Sequence, residues 1–306
     1  MEQREFIVEQ ETAGQRIDRF LSGEDTGLSR SALQALVAEG HVQCNGKTVA
    51  KSLKLKAGDT VLLEIPDAKP IEAVPQDIPL EIVYEDSHLL VVNKPKGMVV
   101  HPAPGNPDGT LVNALLWHCK GSLSGIGGEI RPGIVHRIDK DTSGLVLAAK
   151  NAYAAPLLAG RVTKLYYAIA QGALPLGEGV IDAPIGRRGD SIIGRCVTPE
   201  GKPSRTEYTI IKEENGLSLA ACVPVTGRTH QIRVHFASIG HPLAGDDLYG
   251  GSRERIARQA LHCARQSFAV PVYTPLPDGI RVEMPLQLRT VTVESPLPPD
   301  MEALFS

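Results

Sequence analysis

Gly133-Ile134-Val135-His136-Arg137-Ile138-Asp139-Lys140-Asp141-Thr142-Ser143-Gly144-Leu145-Val146-Leu147-Ala148-Ala149-Lys150 is the stretch from which the rest of the chain can be read. Leu145 to Ala149 is an unbroken apolar run of strand length closed by Lys150, the pattern of a strand buried on both faces. The polar cluster just before it therefore belongs at the rim of a core. Two cations and a second carboxylate surround Asp139, and Ser143-Gly144 turns the chain, so a rigid strand end can aim one side chain. The residue types alone leave two readings open: an Arg137–Asp139 pair that pins a loop, or a presented catalytic carboxylate.

With 306 residues the chain has length for two domains, and its 42% apolar and 22% charged content is that of an ordinary globular protein. A net charge of -3 means that any nucleic-acid footprint must be local. The five cysteines are odd in number and form no C-x-x-C pair, so neither a disulfide framework nor a zinc knuckle is expected, and the compartment expected is the reducing cytoplasm. Met1-Glu2-Gln3-Arg4-Glu5 lacks the start of a signal peptide, and no apolar run approaches the roughly 18 residues of a membrane span.

Residues 12–66 read as a small separate unit. Ile17, Phe20 and Leu21 fall at i, i+3 and i+4, and Leu33, Leu36 and Val37 repeat that spacing, which predicts two short amphipathic helices. Ser29 or Ser31 can cap the second, with Gln34 completing a box from Ser31, and Gly40 is placed to end it. Asn45-Gly46 between His41-Val42-Gln43-Cys44 and Lys47-Thr48-Val49 predicts a hairpin, and Leu53 to Pro66 predicts another strand pair around Gly58-Asp59. Pro66 to Pro79, with four prolines, reads as a semi-rigid linker, and residues 80–306 as the second domain.

There, Leu80 to Tyr84, Leu89 to Asn93 and Lys164 to Ala170 read as strands, as do several segments from Ile181 to Val223. Leu111 to His118 has helical spacing, and glycines 121, 125, 127 and 128 predict a flexible loop. Asn151 can cap a short helix whose start Pro156 restricts. Alternation puts Tyr166 and Tyr167 on opposite faces, so one of them should be less buried. Thr226 to His235 carries four potentially cationic side chains and no acid, a local basic patch. Thr229 can cap a helix running to about Ile239, with Gly240 as its stop. His230 and His235 lie about 140° apart around such a helix, not on one face as a metal pair would.

The central stretch resembles the His-Arg-Leu-Asp-x-x-Thr-Ser-Gly signature of the RluA-type pseudouridine synthases, with Ile138 as the only change. Asn93-Lys94-Pro95-Lys96-Gly97, Lys164-Leu165-Tyr166-Tyr167-Ala168, Gly227 to His235 and Ala260-Leu261-His262 resemble further motifs of that family. Arg16 to Leu21, Ser29-Arg30 and Val42 to Gly46 resemble the S4 RNA-binding domain, with Cys44 in place of an aliphatic. The resemblance implies an α+β fold: an S4-like module, then a catalytic domain with a mixed, mainly antiparallel bent sheet flanked by helices. It implies Asp139 as the catalytic residue, Arg233 as its ion-pair partner, and Arg137 as the residue that helps extrude the target nucleotide. It also implies RNA contact through Arg16, Arg19 and Arg30.

The chemistry agrees with these assignments. Isomerising uridine demands no redox carrier, metal or nucleotide cofactor, but it needs a carboxylate beside C1′ acting as nucleophile or base. An arginine keeps that carboxylate ionised, and an aromatic face holds the flipped base, a role for Tyr166, whose hydroxyl can also relay the proton lost from C5. Lys94, Lys202 and Arg228 are candidate phosphate contacts. The expected substrate is RNA, specifically large-subunit ribosomal RNA or a precursor particle, and the expected state is a monomer. Two rivals remain. Asp139-Lys140-Asp141-Thr142 resembles the D-x-D-x-T loop of magnesium-dependent phosphatases, with the Thr one place early. A non-catalytic RNA-binding ribosome-assembly factor would use both domains only to bind.

Overall fold

The computed structural model of the chain describes residues 2–24, 30–50, 52–65, 73–103, 105–119, 133–150, 154, 158, 160–174, 177–189, 191, 193–271 and 288–306. The chain divides into two compact units, Met1–Pro70 and Ile71–Ser306. In the first, β1 (Glu2–Ile7), α1 (Ile17–Gly23), α2 (Arg30–Ala38), β2 (Val42–Cys44), β3 (Lys47–Thr48) and β4 (Thr60–Ile65) follow in order. The strands make an antiparallel sheet in the order β1-β4-β2-β3. The apolar positions foreseen on the helices form its core: Ile17, Phe20, Leu21, Leu33 and Val37 are buried with Val42, Val61 and Leu63. Asn45 and Gly46 turn the hairpin at φ of 51° and 74°, the left-handed pair that a type I′ turn requires.

Leu53 to Pro66 supplies one strand where two were expected. Leu55 fills the core, but its N–H donates to the Gln15 carbonyl and its own carbonyl accepts from Gly14, so the segment pairs with the loop before α1. β4 pairs instead with β2 on one side and on the other with β1, whose charged start carries no apolar signal. Gln34 donates to the buried Asp18 carboxylate at 2.7 Å. The capping expected from Ser29 and from the Ser31 side chain lies outside the described residues, as do the loop expected at glycines 121–128 and the helix start expected at Asn151 and Pro156.

The second unit contains β5 (Ile82–Glu85), β6 (Leu89–Lys94), α3 (Leu111–His118), β7 (Ser143–Ala149), β8 (Thr163–Gln171), β9 (Glu178–Asp182), β10 (Ile185–Arg187), β11 (Arg195–Val197), β12 (Arg205–Glu214), β13 (Leu217–Pro224), α4 (Gln231–Ser238), β14 (Leu261–Pro271), β15 (Leu288–Glu294) and α5 (Pro299–Glu302). One sheet runs β5-β6-β7-β14-β8-β13-β12-β9, with β15 added on β14, while β10 and β11 pair separately. Among the described residues only the β7–β14 pairing is parallel, so the sheet is mixed and mainly antiparallel as expected. Reciprocal bonds between Thr110 and Asn113 form a capping box at the start of α3.

Every residue of β7 is buried. β6 covers one of its edges, and residues 133–135 fold back along it through an Ile134–Ala148 bridge and the bond from Val135 N–H to the Leu147 carbonyl. The polar signature is thus the loop of a hairpin whose second arm is the most buried strand of the sheet. β7 meets β14 only at Ser143 and Gly144, opposite His262 and Cys263. Gly144 sits at φ 108°, and a Cβ there would overlap the backbone of Cys263. Replacing it therefore adds backbone strain to a steric clash at the join of the sheet. Gly144→Ala should cost about 3 kcal/mol or more in urea unfolding of the protein.

Candidate active site

A cleft of about 480 Å³ opens beside that join. The hairpin loop contributes Arg137 and Asp139, β8 contributes Lys164 and Tyr166, and the turn before α4 contributes Arg228 and His230. Asp139 begins a turn closed by the Thr142 N–H on its carbonyl at 3.2 Å. The next carbonyl, that of Lys140, accepts from Gly97 N–H at 2.9 Å and from the Lys94 ammonium at 3.0 Å.

Lys94 is not available to RNA phosphates as the sequence suggested. It is fully buried, and its ammonium also donates to the carbonyls of Pro95 and Met98, each at 2.8 Å. Burial pushes its pKa down to about 7, opposed by Asp141 and Asp139. Three carbonyl acceptors match the three N–H donors that only the protonated amine has, so we read it as charged and as the clamp of the Asp139 loop.

Arg233, on α4, is 6% exposed and reaches Asp139 with Nη1, 3.0 Å from Oδ2. Its Nε and Nη2 form a fork on Asp246, at 2.7 Å and 2.8 Å from the two carboxylate oxygens. The Tyr249 ring packs 5.1 Å from the guanidinium. Burial alone would lower the pKa of this arginine, but Asp246 and then Asp139 more than compensate and hold it above its ordinary value. A permanently charged arginine thus faces Asp139, whose side chain remains 21% exposed to the cleft.

Tyr166 is 8% exposed and Tyr167 half-buried, so the two do face differently, and Tyr166 is the one in the cleft. Burial, then the Cys263 side chain hydrogen-bonded to the phenol, hold its pKa well above the ordinary value, so the hydroxyl stays protonated. His136 accepts at Nε2 from Leu147 N–H at 3.2 Å and from Gln266 Nε2 at 2.8 Å, which ties the loop to β7 and β14.

The expected basic patch is only partly a surface. Arg228 is exposed and donates to the Pro203 carbonyl at 3.1 Å, and Lys202 and Arg137 are also exposed. Arg233 points inward, and His235 is fully buried between Thr206 and the Ala183 carbonyl. Nor does Thr229 cap α4: the N-cap is His230, without a side-chain cap bond. Gln231 instead anchors the turn, bonding Thr226, Arg228, Thr206 and the Arg205 carbonyl. In the first unit Arg16 and Arg19 are exposed, with Arg16 bound to Asp18 through two nitrogens, while the Arg30 side chain lies outside the described residues. Among the described residues no helix is long and apolar enough to cross a membrane.

The model of the RNA pseudouridylate synthase family matches residues 88–238, and that of the S4 domain residues 15–61. The whole chain aligns with 97% of the ribosomal large subunit pseudouridine synthase D of Zymomonas mobilis at 43% identity. The chain belongs to the RNA pseudouridine synthase family. It is likewise 41% identical, over all of its length and 98% of the relative's, to an uncharacterized RNA pseudouridine synthase of Bacillus subtilis. Among solved structures, human RNA pseudouridylate synthase domain containing 1 superposes with a TM-score of 0.57 at 27% identity, covering 76% of this chain and 89% of that one. The synthase is therefore an isomerase acting on RNA, and the phosphatase and binding-only readings fall.

The sequence assigns no role to two residues beside the Arg233–Asp139 pair. Asp246 lies in a Gly-Asp turn with no helical or strand period to mark it, and only the fold shows that it grips Arg233. Spacing tests His230 only as half of a metal pair, yet its Nε2 stands 3.8 Å from Asp139 Oδ2.

Two histidines of the synthase are kept neutral by burial, His136 with its pKa pushed down to about 3 and His262, between Ser143 and Ser295, to about 4, both from 6.5. As pH falls through 6.5 the unfolded chain takes up protons that the folded one refuses, so stability is present above 6.5 and is lost toward pH 4. Each pH unit in that window costs about 1.4 kcal/mol per histidine. Thermal melting followed by circular dichroism should show a steep fall in Tm below pH 6.5, and His262→Gln should be shallower in slope though less stable at neutral pH.

Proposed function

We propose that this synthase isomerises uridines of large-subunit ribosomal RNA, with Asp139 as the group that acts at the ribose. The observation that carries the assignment is the bond from Arg233 Nη1 to Asp139 Oδ2 at 3.0 Å, in a cleft that also contains Tyr166. The ribosomal target is supported by the synthase D of Zymomonas mobilis, named for the ribosomal large subunit, and by the S4 unit that precedes the catalytic one. The protein acts as a monomer in the cytoplasm.

In the reaction the N1–C1′ bond breaks, the uracil turns, and C5 bonds to C1′, while a proton leaves C5 and N1 gains one. Asp139 either adds to C1′ or takes a proton from C2′, and both routes require it ionised. Arg233 secures this without being consumed, because Asp246 already fixes the guanidinium through Nε and Nη2 and leaves Nη1 for Asp139. Unstacking the target costs a few kcal/mol, and Arg137, exposed at the cleft mouth, takes the vacated place. Tyr166 offers its ring to the base and its neutral O–H as a donor. A phenol held neutral does not act as a resting base, so any relay of the C5 proton needs its own proton to leave in the same step. Lys202 and Arg228 contact phosphates near the cleft, and Arg16, Arg19 and Arg30 do so from the S4 unit. Arg16 brings the weakest of these, since Asp18 already occupies its guanidinium.

Asp139→Asn keeps the shape and leaves Arg233 forked on Asp246, so it should fold, bind RNA as well as wild type, and lose at least about 10³-fold in tritium release from 5-tritiated uridine in a ribosomal RNA transcript. An active Asp139→Asn protein would reassign the carboxylate. Tyr166→Phe retains the stacking face, so filter binding should change by less than about twofold while single-turnover rates fall by more than about tenfold.

A further inference from the structure

Among the described residues three that are not glycine adopt positive φ: Asn45, Asn215 and His230. The two asparagines precede Gly46 and Gly216 in hairpin turns, where that conformation is inexpensive. His230, at φ 58° and ψ 20°, has no such reason and holds a left-handed conformation that residues other than glycine and asparagine seldom adopt. The turn around it holds that geometry, since the Gln231 side chain is bonded to Thr226, Arg228, Thr206 and the Arg205 carbonyl. That geometry delivers an imidazole to the wall of the cleft, with 14% of its side chain exposed.

That imidazole is oriented by a hydrogen bond at Nδ1 and presents Nε2 to a carboxylate. Nδ1 lies 2.7 Å from the Tyr249 hydroxyl, whose oxygen accepts from Arg195 N–H at 3.0 Å. The hydroxyl proton is thus free to be given to Nδ1, which puts the proton of the neutral ring on Nε2. The charge opposite agrees, for Nε2 faces Asp139 Oδ2 at 3.8 Å, and a lone pair aimed at a carboxylate would be repelled. Arg233 Nη1 approaches the same Oδ2, while among the described residues Oδ1 has no hydrogen-bond partner. Burial lowers the His230 pKa and Asp139 raises it again, with Arg233 and Arg195 acting against protonation and Asp246 for it.

We propose that His230 is a positioning residue of the isomerisation: the Tyr249 hydroxyl holds its Nε2–H toward Asp139, so that with Arg233 it fixes the carboxylate through Oδ2 and leaves Oδ1 for the ribose. This rests on the reading of Asp139 as the group that acts at the sugar. It makes Tyr249 a second positioning residue, acting through His230 by its hydroxyl and on Arg233 by its ring.

The test uses the full-length protein and a 5-tritiated large-subunit ribosomal RNA transcript, with His230→Gly as the main variant. Glycine removes the imidazole and relieves the backbone, so Tm should equal or exceed that of wild type while kcat falls by at least about tenfold and KM stays within about twofold. Added imidazole should restore part of kcat. Tyr249→Phe, which retains the ring over Arg233, should lower kcat several-fold alone and not further in His230→Gly. His230→Asn, tolerant of the same backbone, decides if the glycine variant fails to fold. A kcat within about twofold of wild type, a rise in KM alone, or additive effects of the two substitutions would overturn the proposal. Asp139→Asn in the same assay separates this from the reading beneath it: if that variant is active, the carboxylate is misassigned whatever His230 does.

Discussion

Arg233 is a cation taken out of water, and much of the catalytic unit is arranged around neutralising it. An isolated buried guanidinium would be prohibitive, and two carboxylates with good geometry make it tolerable. Asp246 supplies the fork and Asp139 the single bond, so three segments distant in sequence are locked together: α4, the turn that follows it, and the hairpin loop before β7. The division of roles follows from burial. Asp246 is 1% exposed and serves only the arginine, whereas Asp139 keeps an open side toward the cleft.

The loop bearing Asp139 is held from beneath by a second buried cation. Lys94 ends β6, a strand paired with β7, and its ammonium gathers carbonyls from the loop that follows β6 and from the loop that precedes β7. Without it the Pro95 and Met98 carbonyls would lose this donor, each worth about 1–3 kcal/mol when orphaned, and the Lys140 carbonyl would keep only Gly97 N–H. The hairpin can therefore be polar and still rigid. Gly144 allows β7 to approach one edge of β14 closely, and on the other edge β14 sets Cys263 opposite Tyr166 of β8, where its side chain is hydrogen-bonded to the phenol.

The N-terminal unit is built differently. Its core is small and almost wholly aliphatic, drawn from two helices and a four-stranded sheet, and Arg16 and Arg19 stay on the surface. Arg16 is bound to the buried Asp18, which Gln34 also reaches, so one carboxylate links α1 and α2 and fixes an exposed guanidinium at their start.

Local pattern was enough for much of this protein. The continuous apolar run 145–149, the i, i+3, i+4 spacings of α1 and α2 and the Asn45-Gly46 turn fix structure through interactions within a few residues, and all were legible in the chain. The motif resemblances likewise named Asp139, Tyr166 and Arg233, which the fold does gather at one cleft. What the sequence could not decide is which way a charged or polar side chain faces. Lys94 and Arg137 look alike as exposed cations, but one ends a buried strand and the other stands on a loop. Charged β1 has no apolar period of its own and becomes a strand only because β4 offers an edge. Asp246 and His230 meet Arg233 and Asp139, 13 and 91 positions away, only when the chain closes on itself, because burial and the direction of a hydrogen bond are properties of the assembled interior and not of any local run of residues.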